Sequence, residues 1–503
     1  MKPRPFSSQP AGRSGEPPEV AEVDRLLAQQ RFAEAVEVGQ RLIARFPRLA
    51  TGYTAVVRAQ LPTGRLAQAS EAADRGLRMA PKDPNLNLLK AILDHRLGRS
   101  DAAIARLRAL LATKPGNEVE ASFALAEAMH RAGRSDDLDA FVAEGGRWLA
   151  DERAAVFSAR STARADRAKA AEGLAATARS ARSALLKRIA GFEAVRHLDA
   201  EGRYREAFDL AQWVHRETTP RFDVGEIEAE VVAQERLLEK NAASAAFASV
   251  PGNAPASSHA NFQMGSPVEG TAFVVGLPRS GTTLLEQMLD RHPAVSGIGE
   301  YEGTFAVREG LVGLGLWPQN LRGLSAEDAR RLAGDYLDGA RARRREGATW
   351  TFDKALHQWR LLPALATVLP GAVYLHIERE ARDCAISMHL SNFHPKAWGF
   401  TADLAQIRRV IELERRIVRR AFESLGLRGV SIRYEDLVDH PEREIRRALD
   451  AMGLPFDAAV LAPEENRRTV LTLSFEQVRR KINRSSIGRW KNYAFAFGPE
   501  WET

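Results

Sequence analysis

The sequence predicts a multidomain protein: an all-α solenoid of helical repeats, followed by an α/β domain built on a parallel sheet. Two observations carry this prediction. Turn residues recur every 34 residues in the N-terminal part, and short apolar segments alternate with helical ones in the C-terminal part. At 503 residues the chain exceeds the roughly 100–200 residues of an ordinary domain, so we expect at least two domains.

Three kinds of residue recur with the 34-residue period, namely Pro47, Pro81 and Pro115, Gly64 and Gly98, and Ala69 and Ala103. Glycine breaks one helix, alanine permits close contact between helices, and proline ends the next helix. The pattern resembles the tetratricopeptide repeat, and a further copy is predicted from residue 201. Such an array offers a groove for an extended partner. Packing on the second domain, or dimerisation, remains the alternative.

The predicted domain boundaries follow from changes in composition. Residues 1–18 form a disordered tail, residues 19–240 the repeat solenoid, residues 241–270 a linker rich in Ala, Ser, Pro and Gly, and residues 271–503 the α/β domain. Within the solenoid, residues 151–191 predict long, partly exposed helices because large apolar residues are few.

The composition is that of a globular protein, with 45% hydrophobic and 27% charged residues. A net charge of +7, spread along the chain, suits anionic ligands but does not indicate a nucleic-acid partner. Because Cys384 is the sole cysteine, we expect no intrachain disulfide and no metal site. The sequence has no signal-like apolar core and no apolar run of about 18 residues, so we expect a cytoplasmic protein without a membrane span.

The strongest local motif is VVGLPRSGTT, residues 274–283. Gly276 and Gly281 stand in the frame of a phosphate-binding loop, between a predicted strand and a predicted helix at 282–292. The next residues are Thr282 and Thr283, where a triphosphate-binding loop has Lys for the phosphates and then Ser or Thr for Mg²⁺, so the lysine is missing. Arg279 supplies a positive charge instead, which suits an anion held without a metal.

The segment LPRSGTTLLEQMLDRHP, residues 277–293, resembles the 5′-phosphosulfate-binding loop of sulfotransferases, particularly the tyrosylprotein sulfotransferase-like branch. The resemblance implies a P-loop-like sulfotransferase domain, a bacterial origin, and 3′-phosphoadenosine 5′-phosphosulfate (PAPS) as co-substrate, with no metal. It implies that the phosphosulfate is held by Pro278, Arg279, Ser280, Gly281, Thr282 and Thr283.

A second anion site is implied by the same family, as an arginine at a strand end and a serine eight residues later. Arg379 and Ser387 match this spacing. Helix capping by the serine and a surface role for the arginine are the alternative. Further nucleotide contacts are implied for Tyr434, Ser474, Arg489 and Trp490.

The resemblance also implies the catalytic residues. Glu300 would act as general base, with Glu302 as its competitor in the same GEYEG segment, and Lys354 would stabilise the leaving oxygen.

The sequence therefore predicts a sulfotransferase acting on a hydroxyl or amine, with a tyrosine of a protein or peptide as one candidate acceptor and carbohydrates or small molecules as others. The repeat groove would bind the acceptor or another protein. Two alternatives remain open: a P-loop kinase or nucleotide hydrolase with a repeat scaffold, which would need triphosphate and Mg²⁺, and a non-catalytic repeat adaptor.

Overall fold

A computed structural model describes residues 17–63, 65–247, 270–466 and 481–502. The chain divides into two compact units, the first ending at Arg182 and the second beginning at Ser183. Most of the predicted tail and linker lies outside the described residues, as does Gly64.

The first unit is helical throughout its described residues, as the sequence predicts. Its helices are α1 Pro18–Ala28, α2 Phe32–Arg45, α3 Ala50–Gln60, α4 Leu66–Met79, α5 Pro84–Arg96, α6 Ser100–Ala112, α7 Glu118–Arg131, α8 Ser135–Glu144, α9 Ala154–Thr162 and α10 Arg167–Ser180, with a 3₁₀ helix at Arg147–Ala150.

The periodic residues mark the ends of these helices. Pro47, Pro81 and Pro115 follow the ends of α2, α4 and α6 by two or three residues. Gly98 and Gly133 take positive φ angles of 81° and 73° just after α5 and α7, a conformation that glycine adopts at little cost. Helix pairs are therefore observed, while their assignment as tetratricopeptide repeats stays a prediction.

Small residues let these helices approach closely. Ala69 and Ala103, one period apart, are both fully buried. A Cβ atom added at Gly76 in α4 would lie 2.8 Å from Cβ of Tyr53 and 2.9 Å from Cδ1 of Leu86. Close packing of this kind leaves no room for even one more methyl group.

The segment 151–191 differs from its prediction. It forms the shorter helices α9 and α10 and the start of α11, Ala184–Ala200, instead of long ones. Ala170, Ala171 and Ala178 are buried within α10. Alanine alone can line a buried helix face when the neighbouring helix comes close, so the scarcity of large apolar residues does not imply exposure.

The second unit begins with three helices that precede the sheet: α11, α12 Tyr204–Thr218 and α13 Gly225–Phe247. Helix α13 therefore extends into the predicted linker. Three ion pairs join α13 to α19, Leu404–Leu425, each between residues 181 positions apart: Glu228–Arg409, Glu235–Arg416 and Glu239–Arg420. Because the offset is constant, the two helices run parallel.

The sheet of the second unit is parallel, as predicted, and has five strands among the described residues, in the order β2-β3-β1-β4-β5. The strands are β1 Thr271–Val275, β2 Val295–Gly299, β3 Trp350–Asp353, β4 Val373–Glu378 and β5 Gly429–Arg433. Strand β2 was not predicted, because the sequence VSGIG contains two glycines and a serine and does not have the composition of a strand.

Helices cover both faces of the sheet. Residues Phe273 and Val275 of β1 pack into one core and Ala272 and Val274 into the other, in the alternation of a strand buried on both sides. The remaining helices are α14 Thr282–Asp290, α15 Gly303–Gly313, α16 Ala326–Arg341, α17 Leu362–Val368, α18 Ala381–His389, α20 Tyr434–Asp439 and α21 Pro441–Met452. In the described part of the chain, no helix has both the length and the apolarity of a membrane span.

Substituting Gly76 by alanine tests the packing of the helical unit. We expect Gly76→Ala to destabilise the unit, since overpacking costs about 1–3 kcal/mol and outweighs the ~0.5–1 kcal/mol by which alanine favours a helix over glycine. The control is Gly173→Ala in α10, where no atom lies within 4 Å of the added Cβ and a gain in stability is expected. Urea unfolding followed by circular dichroism measures both, and a similar gain in the two variants would contradict the close contact between helices.

Candidate active site

The predicted site residues stand where the strands of the sheet end. Glu300 follows β2, Lys354 follows β3, Arg379 follows β4 and Tyr434 follows β5, each as the next residue along the chain. The segment 276–283, which we call the anion loop, follows β1. Because the strands are parallel, their carboxyl ends meet at one edge of the sheet, where ligands of such folds bind.

The anion loop has an unusual backbone. Gly276, Arg279 and Gly281 have positive φ angles of 154°, 72° and 111°. A Cβ at Gly276 would lie 2.6 Å from the carbonyl oxygen of Ile377 in β4, so only glycine fits there. The left-handed conformation of Arg279 is uncommon for a residue with a side chain and is typical of functional sites.

The hydroxyl residues of the loop are buried and divide into two groups. Ser280 donates its hydroxyl hydrogen to the carbonyl oxygen of Leu277 at 2.8 Å, so this side chain shapes the loop itself. Thr282 and Thr283 open helix α14. No side chain among the described residues caps this helix, and the N–H groups of an uncapped N-terminus favour an anion.

The two anion sites predicted from the sequence are joined. Nε of Arg279 donates to Oγ of Ser387 in α18 at 2.8 Å, and Nη1 of Arg379 donates to the carbonyl oxygen of Arg279 at 3.0 Å. Each predicted site therefore contributes a contact to the other. Arg379, just after the end of β4, and Ser387, in the second turn of α18, thus both contact Arg279 of the loop.

Arg379 is almost fully buried, with 7% of its side chain exposed. It also donates to the carbonyl oxygen of Ser486, and its guanidinium lies 4.7 Å from the ring centre of Tyr434. Its Nη2 is 3.7 Å from a carboxylate oxygen of Asp383. Its Nε is buried and has no hydrogen-bond partner among the described residues. A buried donor without a partner is costly, which marks this position as one that an acceptor oxygen would stabilise.

The charge of Arg279 is destabilised in this setting. Burial, and after it the positive charge of Arg379, lower the pKa of the Arg279 guanidinium to about 10. Arg279 thus stays charged at neutral pH and lies beside Arg379 in a partly buried place. An anion bound between the loop and α18 would relieve their repulsion.

Tyr434 packs directly on the anion loop. A Cβ at Gly281 would lie 2.5 Å from Cδ2 of this tyrosine, and the side chain is buried. Tyr434 therefore supports both Gly281 and Arg379. The neighbouring carboxylate of Glu435 accepts the backbone N–H of Glu380 at 3.0 Å, which ties the start of α20 to the start of α18.

Lys354 and Glu300 form an ion pair across the ends of β2 and β3. The distance from Nζ to Oε1 is 2.6 Å, with 1% of the lysine side chain and 46% of the glutamate side chain exposed. The backbone N–H of Lys354 donates to the carbonyl of Gly299 at 2.9 Å, which continues the strand pairing. Glu302 precedes α15 as its N-cap residue and is exposed.

Asp353, beside Lys354, is a buried carboxylic acid that sequence reasoning missed. It accepts hydrogen bonds from the hydroxyl of Tyr336 and from the backbone N–H of Ala355, both at 2.9 Å. Burial raises its pKa to about 7. The sequence shows the Asp-Lys pair, but Tyr336 belongs to a separate helix, α16, and nothing in the sequence signals that it would cover this carboxyl.

The C-terminal segment lies against α18. The carboxylate of Asp383 accepts the backbone N–H of Gly488 at 2.7 Å and of Trp490 at 2.8 Å. The guanidinium of Arg382 lies 3.5 Å from the ring centre of Trp490. Arg489 pairs with Asp199 of α11. Ser474 lies outside the described residues.

The site residues from Pro278 to Tyr434 fall in a region that matches known proteins. Residues 272–458 match the family described as the sulfotransferase family. An uncharacterized protein of Aquifex aeolicus is 30% identical over 239 residues, which cover 46% of this chain and 31% of that protein. Protein-tyrosine sulfotransferase 1 of Danio rerio is 28% identical over 236 residues, covering 43% of this chain and 64% of that one.

Among solved structures, the sulfotransferase domain of the Synechococcus olefin synthase is 20% identical, with a TM-score of 0.33, and the match covers 46% of this chain and 97% of that domain. The chain spans between about a third and two thirds of the length of the two relatives above. Residues 272–458 of the chain are thus similar to the sulfotransferase family.

Proposed function

We propose that the chain transfers a sulfuryl group from PAPS to a hydroxyl or amine of an acceptor. The observation that carries the proposal is the pair Arg279 and Arg379, joined by a hydrogen bond at the carboxyl edge of the sheet, with a buried, unpartnered Nε on Arg379 among the described residues. Two arginines beside an uncapped helix N-terminus fit a ligand that carries negative charge at more than one place.

The residues fit the two charged ends of this co-substrate. The anion loop and the N-terminus of α14 would hold the phosphosulfate, with Arg279 as the charged group, and Arg379 with Ser387 would hold the 3′-phosphate. Ser280 acts indirectly, because its hydroxyl hydrogen already bonds to Leu277. Arg489 and Trp490 act from the C-terminal segment, where Arg489 already pairs with Asp199 and Trp490 stacks with Arg382.

Glu300 and Lys354 would carry the proton and the charge of the reaction. The acceptor proton passes to a carboxylate oxygen of Glu300 as the new oxygen–sulfur or nitrogen–sulfur bond forms. The sulfur–oxygen bond to the nucleotide phosphate breaks, and the ammonium of Lys354 stabilises the negative charge on the departing oxygen. Their 2.6 Å ion pair keeps both groups at the same strand ends.

The first class of acceptor to test is the hydroxyl of tyrosine in a protein or peptide. Support comes from the Danio rerio relative, which is named a protein-tyrosine sulfotransferase, and from the helical first unit, which as a repeat array would bind an extended chain.

Arg379 can be tested by ligand binding without knowing the acceptor. We expect adenosine 3′,5′-bisphosphate to bind the full-length chain, and Arg379→Ala to weaken that binding by roughly 10- to 100-fold, since a hydrogen bond to a charged group contributes about 1.5–3 kcal/mol. Isothermal titration calorimetry measures both. The matched control is Arg341→Ala, an exposed arginine of α16 whose only described ion pair is with Asp338, and its affinity should match the wild type.

ATP with Mg²⁺ is the competing ligand in the same experiment. Binding of Mg²⁺-ATP together with no binding of the bisphosphate would contradict the proposed function and favour a kinase or nucleotide hydrolase.

The two neighbouring glutamates can be separated by isosteric substitution. We expect Glu300→Gln to lower the transfer of radiolabelled sulfate from PAPS by roughly 10²–10⁴-fold, the usual contribution of a general base, while binding of the bisphosphate is kept. Glu302→Gln should retain transfer. Acceptors to assay include a tyrosine peptide, a phenol and a carbohydrate.

The reverse pattern, with transfer lost in Glu302→Gln and retained in Glu300→Gln, would assign the base to Glu302. Loss of bisphosphate binding in Glu300→Gln would mean that Glu300 acts through the structure of the donor site and not as a base.

A further inference from the structure

We propose that Asp199, in the last turn of α11, is a positioning residue for the donor site. We call the segment 486–497 the C-terminal strap. Asp199 forms hydrogen bonds with Arg489 and Tyr493 of this strap, and these contacts keep the strap packed against α18, the helix that follows Arg379. This inference rests on the proposed function, because it concerns how the donor site is kept in shape. Asp199 lies outside residues 272–458, the region that matches the sulfotransferase family.

Asp199 contacts the strap through two side chains. Nη2 of Arg489 lies against both carboxylate oxygens, and the hydroxyl of Tyr493 donates to Oδ1 at 2.6 Å. The carboxylate is 19% exposed and the arginine side chain 33% exposed. An acidic residue in the last turn of a helix is disfavoured by the helix dipole, so α11 by itself gains nothing from Asp199. The stabilisation comes from its partners in the strap.

The other side of the strap is bound to the donor-site helix α18. Asp383 accepts the N–H groups of Gly488 and Trp490, and Arg382 stacks on Trp490. Arg379 donates to the carbonyl oxygen of Ser486. The strap therefore lies between α11 on one side and the proposed phosphate-binding arginine on the other, and contacts both through hydrogen bonds.

Apolar contacts fix the same arrangement. Tyr493 is fully buried and packs with Phe208 of α12 and Ile386 of α18, while its ring lies 5.3 Å from that of Tyr204. The guanidinium of Arg205 lies 3.6 Å from the ring centre of Phe495. Helices α11 and α12 thus form one of the two surfaces against which the strap packs.

The orientation of the Arg379 side chain depends on the position of the strap. Arg379 uses one Nη to contact Arg279 and the other to contact the strap, so a displaced strap leaves Arg379 with fewer fixed contacts. The positive charge of Arg489 also acts on the anion loop, because it contributes to the lowered pKa of Arg279. Asp199 holds that charge in place at the edge of the donor site.

The experiment measures the affinity of the full-length chain for adenosine 3′,5′-bisphosphate in Asp199→Ala, in Arg489→Ala and in the double variant. We expect each single substitution to raise the Kd about tenfold. The double variant should have a Kd no higher than that of the weaker-binding single variant, because both substitutions break the same Asp199–Arg489 ion pair. Asp199→Glu should recover part of the affinity. The matched control is Asp209→Ala, an exposed aspartate of the neighbouring helix α12, which should bind like the wild type.

A kinetic readout separates positioning from loss of structure. With the tyrosine peptide as acceptor, Asp199→Ala should raise the KM for PAPS about tenfold and leave kcat within about twofold. Near-ultraviolet circular dichroism reports whether Asp199→Ala folds. If this variant does not fold, the same measurements are made on Asp199→Asn and Tyr493→Phe.

Three outcomes would overturn the inference. Equal affinity for the bisphosphate in the wild type and in Asp199→Asn would show that the contact does not affect binding of the donor. Tighter binding in Asp199→Asn would show that the pairing with Asp199 keeps Arg489 from contacting the donor. Additive losses in the double variant would show that the two residues act separately. A wild-type chain that does not bind the bisphosphate would instead refute the proposed function, and the positioning role would fall with it.

Discussion

The hydrogen bond from Arg379 to the backbone of Arg279 is the contact on which the candidate site depends. It places the guanidinium of Arg379 beside Arg279 at the edge of the sheet, where burial and the positive charge of Arg379 disfavour the charge of Arg279. The contact is built by the pairing of β1 with β4, which sets Gly276 against the carbonyl of Ile377, and by the left-handed backbone of Arg279. A strained backbone and repelling charges are stabilised together by an anion, which is the physical reason to place one here.

The surrounding cations differ in how they are neutralised. Lys354 has a direct partner in Glu300, and Arg489 has one in Asp199. Arg379 is 3.7 Å from Asp383, but that carboxylate already accepts two backbone N–H groups of the C-terminal strap. Among the described residues, these carboxylates supply negative charge to Lys354, Arg489 and Arg379, which surround the loop where the phosphosulfate of the proposed donor would lie.

Much of this arrangement could be read from the sequence, because local signals specify it. Glycine and proline mark the helix ends of the first unit, and apolar segments mark strands β1, β3, β4 and β5. The anion loop was predicted from its glycines and hydroxyl residues between a strand and a helix, and Arg379 and Lys354 were predicted from the family resemblance. What the sequence could not show depends on contacts between distant residues: the cover that Tyr336 provides for Asp353, the bond between Arg279 and Ser387, and the pairing of Asp199 with Arg489, 290 residues away. Strand β2 was not predicted, because it forms through pairing with β3 and its own composition is not typical of a strand.

The most direct test of the central claim is a crystal structure of the full-length chain with adenosine 3′,5′-bisphosphate. The account predicts the 3′-phosphate within hydrogen-bonding distance of Nε of Arg379 and of Ser387, and the 5′-phosphate on the anion loop beside Arg279. A nucleotide bound elsewhere on the chain, with Arg279 and Arg379 contacting each other and no phosphate, would contradict it.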